Sequence, residues 1–407
     1  MLVVSQRPLD LGGGGSVRWR HLQRELPKHG WKIVECAPRA GATAQDTSTN
    51  PRTASLAARR AQLMGAAGRV LDPFARVLRV QPEALAPNNA WAVTGRGLIR
   101  SAIERERPSV VLATAPPPSA LLATAAVVDD IPLVMELRDL WAGNPYFDRG
   151  SPILSRLQGH ALAHAQAVVT VSDGCRTNLL RLHPEIGQRL QVLPNGFDPS
   201  LLERRSERER PPGSPASLIH AGALYGDRTA EVLVAALGRP ELRGRARLEL
   251  VGVIDVRTHR ALQTAPDLAA EVDPPVDWDE AVARMLAADI VVVINAPSTG
   301  GDMALPTKLY EALALGRPVL ALTREGSDTA RLLERLGQEA GLAPPEDPAA
   351  IAAAIERLLE APPPPAAPEA LAEFDVDRIA ARYADLLDEV ATRSSSSSSL
   401  GTTTSRR

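Results

Sequence analysis

IVVVINAPSTGGDMALPTKLYEALALGRPVLAL, residues 290–322, reads as strand, loop, helix and strand in succession. Ile290 to Ile294 is an apolar run of strand length that enters a loop holding Gly300-Gly301. Pro306 stands just before or at the start of a helix from Thr307 to Leu315, and Val319 to Leu322 is strand again. Strands separated by helices form βαβ units, whose strands run parallel. The free N–H groups of the helix start would point into the crevice at the carboxyl ends of those strands, where such sheets bind their ligands.

The alternation extends outward in both directions. Toward the N-terminus come a strand at Ser217 to His220, a helix at Thr229 to Leu237, a strand at Leu248 to Val251 and a helix at Glu280 to Ala287. Toward the C-terminus a helix spans Ala349 to Leu359, Pro362 to Pro365 form a stiff spacer, and an amphipathic helix covers Asp377 to Val390. The tail from Ser394 is Ser/Thr-rich and expected to be disordered. The first half repeats the pattern. Leu2-Val3-Val4 is strand, Gly12 to Gly15 a loop, Val17 to about Lys28 helix with Gly30 at its C-cap, and Trp31 to Val34 begins the next strand. Strands at 110–112, 133–137, 167–171 and 190–193 alternate with helices at Ala120 to Val127, at Ile153 to His164 and after the N-cap Ser172. Between the halves, the charge run Glu203 to Arg210 and Pro211-Pro212-Gly213-Ser214-Pro215 read as a linker. The expected organisation is a doubly wound α/β domain at 1–200, a linker at 201–216, a second such domain at 217–368, a C-terminal helix at 375–392 and a tail at 393–407.

Composition narrows the function. In 407 residues, 46 Lys+Arg face 48 Asp+Glu, so no global basic field exists to hold nucleic acid. Cys36 and Cys175 are too few for a disulfide framework or a structural zinc site. The start MLVVSQRPLD turns polar too soon for a signal peptide, and no apolar run reaches about 18 residues, so the expectation is a cytoplasmic protein. Segment 55–80 fits neither sheet. It places Leu63, Val70, Phe74, Val77 and Leu78 on one face, as helices over the domain's own core or as a peripheral membrane or acceptor contact.

Three features invite chemistry. The Gly12 to Gly15 loop lets backbone approach an anion or sugar closely. A dinucleotide fingerprint fails there, because Val17 and Arg18 fall where its third glycine belongs, although Glu35 has the expected spacing. His160 and His164 are at i, i+4 but lack the intervening glutamate of a zinc motif and an evident third ligand. Lys308 offers diphosphate a point charge, and Glu311 one turn on could accept the two hydroxyls of a ribose or simply pair with Lys308.

Pro306 to Pro318, read with Leu193-Pro-Asn-Gly-Phe-Asp198, the glycine loop, Thr114-Ala-Pro-Pro-Pro-Ser, Leu137-Arg-Asp-Leu-Trp141 and Val168-Val-Thr-Val-Ser172, resembles the family 4 retaining glycosyltransferases of GT-B fold, in a subgroup with R-D-x-W and P-x-K-x-x-E motifs. That resemblance implies two Rossmann-like domains facing across a cleft, with the last helix crossing back to the first domain. It implies that Arg228 and Lys308 grip the donor diphosphate together with the Thr307 amide, and that Glu311 holds the ribose. Gly252 and Val276 would flank the base, Gly300, Gly301 and Asp302 would meet the donor sugar, and Gly13, Gly14 and Gly15 would lie between acceptor and phosphate. Arg138 and Asp139 would join Arg228 and Lys308 in catalysis. The departures from the family pattern are Met303 for a glutamate, with Asp302 beside it, Arg138 for a histidine, and Ala223 for a basic residue.

The resulting expectation is a transferase moving a sugar from a nucleotide-diphosphate donor to a hydroxyl of a glycan, lipid-linked or small-molecule acceptor, with no metal and no cofactor. Two alternatives are a nucleotide-sugar 2-epimerase and a silent nucleotide-sugar-binding partner subunit.

Overall fold

A computed structural model describes residues 1–9, 14–38, 91–144, 148, 150–206, 210–211 and 213–400. Two six-stranded, all-parallel sheets organise them. The first holds β1 (Leu2–Val4), β2 (Val34–Cys36), β3 (Val111–Ala115), β4 (Leu133–Leu137), β5 (Ala167–Thr170) and β6 (Leu190–Val192), in the order β2-β1-β3-β4-β5-β6. The second holds β7 (Ala216–Ala221), β8 (Ala246–Val251), β9 (Ala270–Asp273), β10 (Ile290–Ile294), β11 (Val319–Leu322) and β12 (Leu342–Ala343), in the order β12-β11-β10-β7-β8-β9. Each order reverses once, between β1 and β3 and between β7 and β10, which is where an open α/β sheet leaves a crevice.

The strands read as continuous apolar runs because both faces of each sheet are covered. Leu2, Val111, Leu133 and Met135 point into one core, while Val3, Leu112, Val134 and Val169 point into another. In the second sheet Leu218, Val292 and Leu320 face the helices Glu231–Leu237 and Pro348–Glu360, and Ile219, Val291 and Val293 face Leu309, Leu313 and Phe374.

The second core of the first sheet is completed from the far end of the chain. Ile379, Ala380, Tyr383 and Leu387 of the Val376–Leu400 helix bury against it. That helix runs ten residues past Val390, through part of the expected tail; a helix already nucleated by a docked face adds serines at small cost each. Residues 401–407 lie outside the described residues, as does segment 55–80.

Local boundaries moved where tertiary pairing decides them. The first helix starts at Gly14 rather than Val17 and ends at Glu25, and a 3-10 turn Leu26–His29 follows it. Gly30 caps that turn at φ 84°, but β2 begins only at Val34, where its register with Leu2 starts; 31–33 climb back to the sheet edge. The charged stretch after β6 is anchored. Leu201 is buried, and Arg205 donates to the carbonyls of Ala314 and Leu313 (2.7 and 3.0 Å) at the end of the Thr307–Ala314 helix, where a cation is favoured. Among the described residues, no helix is long and apolar enough to cross a membrane.

Candidate active site

The order reversal of the second sheet brings the ends of β7 and β10 together, and a group of cations stands there. Lys308 is the second residue of the Thr307–Ala314 helix, whose N-cap is Pro306 in an extended conformation (ψ 147°). Its Nζ lies 3.0 Å from His220 Nε2 on β7. Arg228, from the loop after β7, stacks on Tyr225 with its guanidinium carbon 5.0 Å from the ring centroid. Among the described residues neither cation has a carboxylate within ion-pair distance. Burial, and next the Arg228 charge, hold the Lys308 amine well below the ordinary lysine range, against the pull of Glu311. Two cations with that much uncompensated charge form a receptor for an anion.

Glycines clear the space around them. A Cβ on Gly222 (φ 138°) would stand 2.9 Å from Lys308 Nζ, and one on Gly252 (φ 135°) would stand 2.5 Å from the Gly222 carbonyl oxygen. Gly252 donates its N–H to the Asp273 carbonyl at the end of β9 (2.9 Å), and half-buried Val276 follows in the same loop.

Glu311 is buried, and its Oε1 accepts from the Trp278 indole at 2.6 Å. It therefore does not form the simple pair with Lys308 that the spacing allows. Burial raises its pKa, against Trp278 and the charges of Lys308 and Arg20. The ring of His21, in the first helix, meets Trp278 edge-on at 5.8 Å, so the two halves of the molecule touch beside Glu311. Burial pushes the His21 imidazole down to about 4, so it is neutral near pH 7.

Gly300, Gly301 and Asp302 occupy a short helix, Thr299–Asp302, capped by Ser298. Gly301 is required by packing, since a Cβ would fall 1.8 Å from the Ala296 carbonyl oxygen. Asp302 pairs with Arg324 (3.0 Å), so its carboxylate is committed within its own half. The loop also meets the first half, where Ser172 donates to the Met303 carbonyl (2.9 Å) and the Gly174 amide to Asp328 (2.9 Å).

Across the cleft, Asp139 is exposed and Arg138 is mostly buried after β4. Arg138 donates to Thr114 Oγ1 (3.1 Å) and the Pro116 carbonyl (3.3 Å). Beneath it lies Glu136, which no motif reading singles out. Its carboxylate accepts from Arg18 (3.0 Å), Trp19 (2.9 Å), Thr114 (2.6 Å) and Tyr383 (3.0 Å). Burial alone would raise its pKa; the charges of Arg18 and Arg138 and these hydrogen bonds hold it below the usual carboxylate value. Gly14 and Gly15 form the first turn of the first helix, and Gly13 lies outside the described residues.

The structure thus gathers Arg228, Lys308, Glu311 and Gly252 around one crevice, and sets Arg138, Asp139 and the Gly14-Gly15 turn in the other half. Sequence reasoning missed His220, Trp278 and Glu136. A tryptophan at a helix start, in a chain with five, was the signal available for Trp278. His160 and His164 pack edge to face (4.9 Å between ring centroids), and among the described residues no group of His, Cys, Asp and Glu is arranged to hold a metal ion. Glu35 accepts from the Leu9 amide (2.7 Å), a local structural task.

Comparison with known proteins agrees with this division. Glycosyltransferase Family 4 matches residues 12–201, and Glycosyl transferases group 1 matches residues 215–361. A glycosyltransferase from Rickettsia africae ESF-5 shares the fold with a TM-score of 0.62 at 14% identity, covering 96% of this chain and 97% of that one. The lipopolysaccharide outer core galactosyltransferase WaaB in its apo form gives 0.56 at 10% identity, over 95% and 99%. The co-structure of S. aureus MnaA with UDP gives 0.55 at 12% identity, over 96% of each chain. No curated protein matches by sequence.

Proposed function

The chain belongs to the family 4 glycosyltransferases of GT-B fold, and from that premise we propose that it moves a sugar from a nucleotide-diphosphate donor to an acceptor hydroxyl with retention of anomeric configuration. The observation that carries this reading is the pair Lys308 and Arg228 at the β7/β10 crevice, two cations without carboxylate partners among the described residues.

As the bond between sugar and diphosphate breaks, charge accumulates on the leaving phosphate. Lys308, Arg228 and the N-terminus of the Thr307–Ala314 helix are in place before that charge forms, so they favour the transition state over the ground state. These cations make a metal unnecessary, and chelator should leave turnover unchanged. Glu311 keeps acceptor capacity for a ribose hydroxyl while Trp278 holds its other side. The acceptor enters over the first half, where Asp139 orients its hydroxyl and Arg138 adds positive charge. The hydroxyl attacks from the face the diphosphate leaves, and the leaving phosphate takes its proton. Asp302, tied to Arg324, meets the donor sugar only by exchanging that partner.

A panel of nucleotide sugars and acceptors tests the reading, with UDP-sugars first because one neighbour of this fold is described with UDP, and lipopolysaccharide-type glycans first because another is an outer core galactosyltransferase. The expected result is release of nucleoside diphosphate, with product of unchanged anomeric configuration by NMR. Return of an epimerised donor, or binding without turnover by every donor and acceptor, would overturn it.

A further inference from the structure

Three donors of the first half reach the second half around the loop that precedes Lys308. Ser172 is the N-cap of the Asp173–Leu182 helix; its hydroxyl accepts from the Cys175 amide (3.2 Å) and donates to the Met303 carbonyl (2.9 Å). The Asn195 side-chain amide donates to the Leu305 carbonyl (3.0 Å). Between them the Ala304 carbonyl accepts from Thr329 (2.8 Å), so each carbonyl of 303–305 has a side-chain donor although the stretch is neither helix nor strand. The third donor is the Gly174 backbone amide, one of the N–H groups a helix start leaves free, and Asp328 Oδ2 accepts from it at 2.9 Å. Asp328 is 5% exposed and bound through Oδ1 to Arg331, so its carboxylate is fixed from both sides. Glycine serves close approach here: a Cβ would stand 2.5 Å from Asp328 Oδ2 and 2.8 Å from Met303 Cγ.

We propose that Ser172, Gly174 and Asn195 are positioning residues for sugar transfer: together they clamp the second-half loop 303–305 and Asp328 at a set distance from the first half. This rests on the reading that the Gly300 to Asp302 turn and Lys308, on either side of that loop, meet the donor. The nucleotide contacts of that reading, Lys308, Arg228 and Glu311, all belong to the second half and do not touch the clamp. Holding the nucleoside diphosphate therefore does not need it. Transfer does, because the acceptor is carried by one half and the sugar by the other, and a misplacement of about 1 Å between reacting groups can cost a hundredfold in rate. The clamp bears on kcat and leaves nucleotide affinity alone.

The test uses the full chain with Gly174→Ala, Asp328→Ala and Asp328→Asn. Hydrogen exchange of the Gly174 amide, followed by NMR, needs no substrate. It should be slow in the wild type and in Asp328→Asn, whose side-chain oxygen still accepts, and about tenfold faster in Asp328→Ala. Gly174→Ala pushes the carboxylate off the amide while favouring the helix, so melting temperature should hold or rise. Its affinity for the nucleoside diphosphate released in the panel above should stay at the wild-type value, and kcat of transfer should fall about tenfold. Asp328→Asn should keep most of kcat. A merely structural contact would move melting temperature and leave kcat in place. If the Gly174 amide exchanges equally fast in wild type and Asp328→Ala, or folded Gly174→Ala keeps the wild-type kcat, the inference falls; if Gly174→Ala does not fold, Asp328→Ala supplies the same comparison. If the wild type releases nucleoside diphosphate from no donor, the sugar-transfer reading fails instead, and amide exchange still decides whether the clamp exists.

Discussion

Glu136 and Lys308 are both ionisable groups held in the sheet-end regions of a parallel α/β half, and they are treated in opposite ways. The Glu136 carboxylate is surrounded by donors, with two guanidiniums, an indole and two hydroxyls within reach. The Lys308 ammonium has a neutral ring nitrogen and a second cation for company. One charge is satisfied within the protein, which is how a buried charge serves structure. The other is left wanting an anion, which is how a buried charge serves binding. The chain places this buried ion pair in its first half and this uncompensated charge in its second.

Glu136→Ala should break the first side of this contrast most severely. It strands Arg18, buried with 2% of its side chain exposed, at a cost of about 3–5 kcal/mol in urea unfolding. The pH sense follows. With a folded pKa below that of the unfolded chain, Glu136 contributes stability above about pH 4.5 that is lost as pH falls through the folded value. The gap in stability between wild type and Glu136→Gln should therefore close with acidification.

Lys308→Ala should give the reverse pattern. Donor kcat/KM falls about ten- to hundredfold, for the roughly 1.5–3 kcal/mol of a charge-assisted contact. Stability of the empty protein should hold or rise, because a desolvated cation beside Arg228 is removed. With its folded pKa depressed, Lys308 makes wild-type stability climb as pH rises toward the unfolded lysine range, and this variant should lose that climb. A large loss of melting temperature at pH 7 would erase the distinction between the two sites.

Glu311→Gln sharpens the donor side. The Trp278 contact can persist through the amide oxygen, while an acceptor facing the ribose is exchanged for a donor. Donor KM should rise about tenfold, and removing the donor's 2′-hydroxyl should cost much less on the variant than on wild type, as a coupled pair requires. Independent, additive losses would remove Glu311 from the ribose. The smallest effect expected is from deleting everything after Arg393, which should leave melting temperature and turnover as they are, within about 0.5 kcal/mol.

Legibility in the sequence follows the number of covered faces. β10 and β11 coincide with the expected Ile290 to Ile294 and Val319 to Leu322, and β4 with Leu133 to Leu137, because strands buried on both sides are written as unbroken apolar runs. β9, Ala270–Asp273, went unread. It is an edge strand with Glu271 and Val272 exposed, and so has no apolar pattern. In the site, Lys308 and Glu311 are legible because one helix turn joins them. The partners they choose are not, since His220 lies 88 residues from Lys308 and Trp278 lies 33 from Glu311, and only the β7/β10 reversal brings His220 alongside Lys308. The Glu136 cage was hidden for the same reason: Arg18 and Tyr383 stand 118 and 247 positions away.

That last separation has a meaning in time. A ribosome adding about 5–20 residues per second needs about 12–50 s to travel the 247 residues from Glu136 to Tyr383. Through that interval the first sheet exists without the Ile379, Tyr383 and Leu387 face that covers it, and its carboxylate is one donor short. The second half, whose core reaches from Phe197 to Phe374, has by then been fully synthesised. On the nascent chain the second half can therefore mature first, and the first half is the one that finishes last.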